Sequence, residues 1–192
     1  MRGTTLLSLS LLTLWFTAGS GEAVAAVADS AANGFTVKIS VQIQAPAADV
    51  YRRMVHDPGD WWNPSHTFSG DAHNLSIEEK PMGCFCEKLP KQGGATRHME
   101  VIYFAPGERL VMIGGLGPMQ PLAVAGTLTI QLVPSLVASM SSTRIDIVYA
   151  VTGYLAAGMN TWAAPADGML TEQFTRLKNL IELGAPDKTP AK

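Results

Sequence analysis

Residues 35 to 44, Phe-Thr-Val-Lys-Ile-Ser-Val-Gln-Ile-Gln, alternate apolar and polar without a break. Side chains two apart in a strand share a face, so Phe35, Val37, Ile39, Val41 and Ile43 must be buried together while the intervening residues face water. The pattern continues from residue 72 to residue 154, where turn signals cut the chain into strand-length pieces. Strands are expected at His73 to Glu79, Gly83 to Leu89, Thr96 to Phe104, Arg109 to Gly115, Val124 to Val133 and Thr143 to Tyr154. Lys80 to Gly83, Gln92 to Gly94, Ala105 to Glu108, Gly117-Pro118 and Pro134 to Ser142 separate them. Short connections make successive strands antiparallel.

Helical spacing appears in two places. Pro46 to Val55, with Val50 and Met54 inward and Asp49 near its start, reads as a short helix ended by Asp57-Pro58-Gly59-Asp60. Trp61 to Pro64 follows as a second short turn or a loop. After residue 154, Ala166, Leu170, Phe174, Leu177 and Ile181 form one apolar stripe, stopped by Gly184 and Pro186. The class is α+β: about seven antiparallel strands against one long C-terminal helix, with two short helices after the first strand.

The N-terminus carries an export pattern. Arg2 precedes an apolar run from Leu6 to Phe16, and Ala23-Val24-Ala25 and Ala26-Val27-Ala28 both present small residues at cleavage spacing. The run is short for a membrane span, which takes about 20 residues. The expected organisation is a signal peptide over 1–28, a linker over 29–34, one domain over 35–184 and a flexible tail over 185–192. That implies a periplasmic or secreted protein with no stable membrane insertion after cleavage. With 16% charged residues scattered along the chain and a net charge of -2, no basic field for nucleic acid exists. Hydrophobic residues at 47% suffice for one core.

The element order resembles the START-like helix-grip (SRPBCC) superfamily. So does the local wording of Ile43-Gln-Ala-Pro-Ala-Ala-Asp-Val-Tyr51, Trp61-Trp-Asn-Pro-Ser-His-Thr-Phe-Ser-Gly70, Gly83-Cys-Phe-Cys-Glu87, Gly115-Leu-Gly-Pro118 and the helix from Asp167 to Leu183. These stretches are similar to bacterial polyketide cyclase-like proteins and to relatives of the activator of a heat-shock-protein ATPase. The resemblance implies a curved sheet wrapped around the last helix, with a cavity between them. Its members include lipid carriers, hormone receptors, cyclases and co-chaperones, so fold leaves activity open. A cytosolic ATPase is a poor partner for an exported protein.

Within that frame the expected occupant is an apolar or amphipathic small molecule, with no cofactor and no metal. The residues expected to line its cavity are Trp62, Phe68, Cys84, Cys86, His98, Met112, Met169 and Phe174. Of the adjacent Trp61 and Trp62, one plugs the core under the short helices. Tyr103, Tyr149 and Tyr154 offer hydroxyls if they face the ligand. His98 and Glu100, two apart on one strand, are the candidate acid–base pair of a cyclase- or hydrolase-type enzyme, the alternative to simple binding. A protein-interaction module is a third reading. Cys84 and Cys86 also share a face, with Cα atoms about 6.6 Å apart from two strand rises. A labile disulfide, two buried thiols and half of a metal site all fit them.

Overall fold

The computed structural model of the chain describes residues 24–137 and 140–188. The expected apolar leader and the last four residues lie outside them. The described residues form one antiparallel sheet of eight strands and three α-helices. In chain order these are β1 (Val24–Ala31), β2 (Gly34–Ile43), α1 (Ala47–His56), α2 (Pro58–Trp61), β3 (Leu75–Ile77), β4 (Gly83–Leu89), β5 (Gly94–Ala105), β6 (Arg109–Ile113), β7 (Val124–Val137), β8 (Met140–Gly153) and α3 (Ala163–Leu183). The sheet order is β1-β2-β8-β7-β6-β5-β4-β3. No helix among the described residues is long and apolar enough to cross a membrane.

The alternation of β2 is realised as burial: Phe35, Val37, Ile39, Val41 and Ile43 face the core, where Ala166, Leu170, Phe174 and Leu177 of α3 meet them. The two short helices cover the other end of the sheet. Trp61 is buried there, donating its indole N–H to Met54 O and packing on Phe174.

Three boundaries differ from expectation. The segment 29–34 is not a linker: Asp29 to Ala31 complete β1, which turns back at residues 32–33 into β2 with Ala31 opposite Gly34. This hairpin adds an eighth strand, and Ala28 stands inside it. The Ala-rich composition that reads as a cleavage region also tolerates an exposed edge strand. Second, β7 and β8 run on as a long hairpin past Val133, through Pro134. Pairing of β7 with β6 stops at Gln131, so Pro134 removes no ladder hydrogen bond on that side. Third, the first residues of the expected tail fold back on α3. Arg176 pairs with Asp187, and the Asn179 side chain donates to Pro186 O.

Candidate functional site

The site begins with the register of β4 against β5. On β4, Gly83, Phe85 and Glu87 are buried while Cys84 and Cys86 are half-buried on the opposite face. Phe85 pairs with Met99, but the next residue, Cys86, pairs with Arg97. His98 is therefore an extra residue, a β-bulge. A bulge suspends strict alternation, so His98 and Met99 both turn inward, with His98 only 4% exposed. Glu100 is then thrown to the outer face, where its carboxylate pairs with Arg97 at 2.6 Å. The expected His98–Glu100 pair does not form.

Glu87 takes the place of Glu100. Its Oε2 lies 2.9 Å from His98 Nε2, and its side chain has 0% exposure. The carboxylate also accepts the backbone N–H groups of Phe68 (3.1 Å) and Ser69. Burial alone would raise its pKa, but the donors from Ser69, Phe68 and His98 outweigh burial and hold the carboxyl below its ordinary range. An ionised carboxylate only accepts, so His98 donates its Nε2–H to Glu87. Nδ1 of His98 is buried and has no hydrogen-bond partner among the described residues. The ring is stacked on Phe68, 5.5 Å between centroids, and lies 5.4 Å from Phe85.

Beside this dyad lies a cavity of about 240 Å³. Trp62, Leu75, Phe85, Leu116, Pro118 and Met169 give it apolar walls, and His98 lines it. One side is the segment Ser65 to Phe68. That segment is held at both ends. Asn63 and His66 pair with Glu172 of α3, His66 Nε2 at 3.0 Å, and the Asn63 N–H donates to the buried Gln173 at 2.7 Å. Phe68 and Ser69 are held by Glu87. Trp62 is fixed by its own indole N–H, which donates to His66 O. Opposite, the Leu116 N–H donates to the Tyr149 hydroxyl at 3.0 Å, which ties down the Leu116–Pro118 wall. Burial, against that N–H, pushes the Tyr149 pKa up to about 12.

Of the eight expected lining residues, Trp62, Phe68, His98 and Met169 stand around the cavity. Met112 and Phe174 lie in the closed core instead, because the volume beside them is filled by neighbouring strands and helix. Cys84 and Cys86 are excluded by strand phase: they share the outer face with Arg97 and Glu100, and they form a disulfide. Tyr149 spends its hydroxyl on the Leu116 turn, while Tyr103 and Tyr154 are exposed. Glu87, Phe85 and Leu116 are the residues that pattern reading missed. For Glu87 a signal exists, since it falls in phase with Phe85 and out of phase with the cysteines. No cluster of three or more His, Cys, Asp or Glu able to hold a metal occurs among the described residues.

No family model and no curated protein matches the chain. Solved structures do. CalU16 from Micromonospora echinospora superposes with a TM-score of 0.55 at 15% identity, over 90% of this chain and 88% of that one. The conserved protein EF2215 from Enterococcus faecalis gives 0.52 at 17% identity, over 83% and 77%. Aha1 from Colwellia psychrerythraea, solved as a dimer, gives 0.50 at 15% identity, over 78% and 97%. Likeness at this identity speaks for architecture, and it agrees with an eight-stranded antiparallel sheet closed by one long C-terminal helix: the chain has the helix-grip fold.

Proposed function

We propose that the protein is an exported binding protein for a ring-containing, mostly apolar small molecule that carries one polar group. The observation that carries this is His98 Nδ1, a buried nitrogen without a partner in a residue that lines an otherwise apolar cavity. Leaving such a group unpaired costs about 1–3 kcal/mol. In the tautomer with Nε2–H on Glu87, Nδ1 offers a lone pair to a ligand hydroxyl. A dry cavity of about 150 Å³ accommodates benzene, so 240 Å³ suits a substituted ring. Trp62, Phe68 and Phe85 supply the aromatic surface. The ring of Phe68 covers His98 and is 48% exposed, so binding requires it to swing aside.

Matched pairs of phenols and the corresponding hydrocarbons, screened by native mass spectrometry, test the reading. Phenols should be retained about 5- to 150-fold more tightly, the equivalent of 1–3 kcal/mol, and His98→Phe should abolish the preference. Equal retention of both classes would remove His98 as the anchor.

The Glu87–His98 geometry favours a second reading, an acid–base enzyme of cyclase or hydrolase type. There Glu87 fixes the tautomer and His98 Nδ1 takes or gives the proton. Turnover of any substrate unchanged by His98→Ala would defeat it. Export rests on the leader-like residues before Val24. A cut ahead of Val24 keeps β1 whole, and the N-terminal mass of protein recovered outside the cytoplasm checks it.

A further inference from the structure

The outer face of β4 carries a group that the cavity does not use. Cys84 and Cys86 are disulfide-bonded and half-buried, on a face open to solvent. Their Cα atoms are 5.2 Å apart, against about 6.6 Å for two steps of an extended strand. β4 is drawn in here, and here β5 carries its extra residue. Phe85 pairs with Met99, Cys86 with Arg97, and His98 is left between them. A shortened strand thus faces a lengthened one across a single rung. Phe85, which packs on His98, sits inside the covalent ring, and Glu87, which binds it, is the next residue outward. Stabilisation through the unfolded chain grows with the loop a disulfide closes, and this loop is minimal. Its effect is local.

We propose that Cys84–Cys86 is a thiol–disulfide exchange site whose partner is a dithiol, and that the oxidised form holds the bulge that sets His98 against Glu87. In the reaction a thiolate of the dithiol attacks Sγ of Cys84. The intramolecular S–S bond breaks and Cys86 leaves as a thiolate. The second thiol of the reductant then attacks the mixed disulfide and releases Cys84. Two electrons and two protons pass to the pair, and the dithiol becomes a disulfide. The direction of attack follows from charge. Arg97 stands opposite Cys86 and favours a thiolate there, whereas Glu100 stands opposite Cys84 and disfavours one. After reduction β4 regains its full span, the bulge relaxes and the His98–Glu87 contact opens. The inference concerns this contact whether or not the cavity takes a ligand, so it stands apart from the reading above.

The test uses the full chain with ¹⁵N-labelled histidine, titrated with dithiothreitol and re-oxidised with oxidised glutathione. Intact mass counts the two hydrogens gained, and imidazole ¹H–¹⁵N spectra follow His98, with His66 on Glu172 as an internal reference. The Nε2–H signal of His98 should vanish in proportion to reduction and return on oxidation, while His66 stays fixed. Arg97→Gln should slow the reduction. An unchanged His98 signal in fully reduced protein overturns the proposal. So does a disulfide that resists excess dithiothreitol in the folded chain, or a collapse of all native signals together, which would make the bond a general staple. The Cys84→Ser/Cys86→Ser variant should show the reduced spectrum from the start. If that variant does not fold, titration of the native chain still decides.

Discussion

Glu87 and His98 are the residues on which the site turns. Glu87 keeps a charge where none of its side chain meets water, and does so because three groups donate to it. Glu87→Ala should therefore cost far more than the contact is worth, because it strands two backbone N–H groups and an imidazole N–H; losses of about 3–5 kcal/mol accompany the removal of one partner of a buried pair. Glu87→Gln keeps the shape and should cost about 1–3 kcal/mol. Urea unfolding of the two variants separates these, and a fully stable Glu87→Gln would mean the charge contributes nothing. This pair was only half legible in the sequence. His98 stands out as a histidine within a strand, but its partner depends on one inserted residue. Thr96 to Tyr103 reads equally well in either phase, and the bulge selects the phase that buries His98 and exposes Glu100. The cysteines misled in the opposite way. Their usual burial suggests an inward face, whereas the in-phase pair Phe85 and Glu87 claims it.

Among the elements, the turn after β6 forms one wall of the cavity. Gly114 has φ of 143°, and a Cβ there would meet His98 O at 2.9 Å and Met99 Cα at 3.1 Å. Both neighbours belong to the bulge and cannot give cheaply. Gly114→Ala should lower the unfolding midpoint and shift the His98 imidazole resonances, by straining the turn and pressing on the bulge at once. Gly93→Ala, also at positive φ but with nothing within 4 Å of the added Cβ, should lower stability without moving His98. Comparing the two separates backbone strain from the contact. The order and type of most elements were legible, because period 2 and period 3.6 are properties of burial that each segment expresses alone. The hairpin β1–β2 was not. An Ala-rich edge strand buries too little to leave an alternating pattern, and the same small residues satisfy a cleavage signal. The cover segment Ser65 to Phe68 was legible only in part: Phe68 stands among the expected lining residues, but Glu172 and Glu87, which hold the two ends, are distant in sequence.

At the scale of the molecule, the same two carboxylates join sheet to helix through the cover of the cavity, and both are held in their charged form. For Glu172, burial acts upward, but hydrogen bonds from Asn63 and His66 prevail and its pKa is lowered, as for Glu87. A group whose pKa is lower folded than unfolded contributes its full stabilisation above the unfolded value, about 4.3 for glutamate, and loses it as pH falls through the folded one. The contribution of these two carboxylates should therefore be complete above about pH 4.3 and decline below it as they protonate. The decline should be shallower in Glu87→Gln and shallower again in the double variant with Glu172→Gln, because an amide has no proton to gain. Urea midpoints at three pH values across this window measure it. Since the same protonation releases Phe68 and Ser69 from Glu87, access to the cavity should change in the same window. Quenching of indole fluorescence by acrylamide should rise there in the wild-type chain, with Trp62 behind the cover and Trp61 in the closed core. It should rise before the unfolding transition. If quenching and unfolding coincide at every pH, the cover is not a separate unit and Glu87 serves the fold alone.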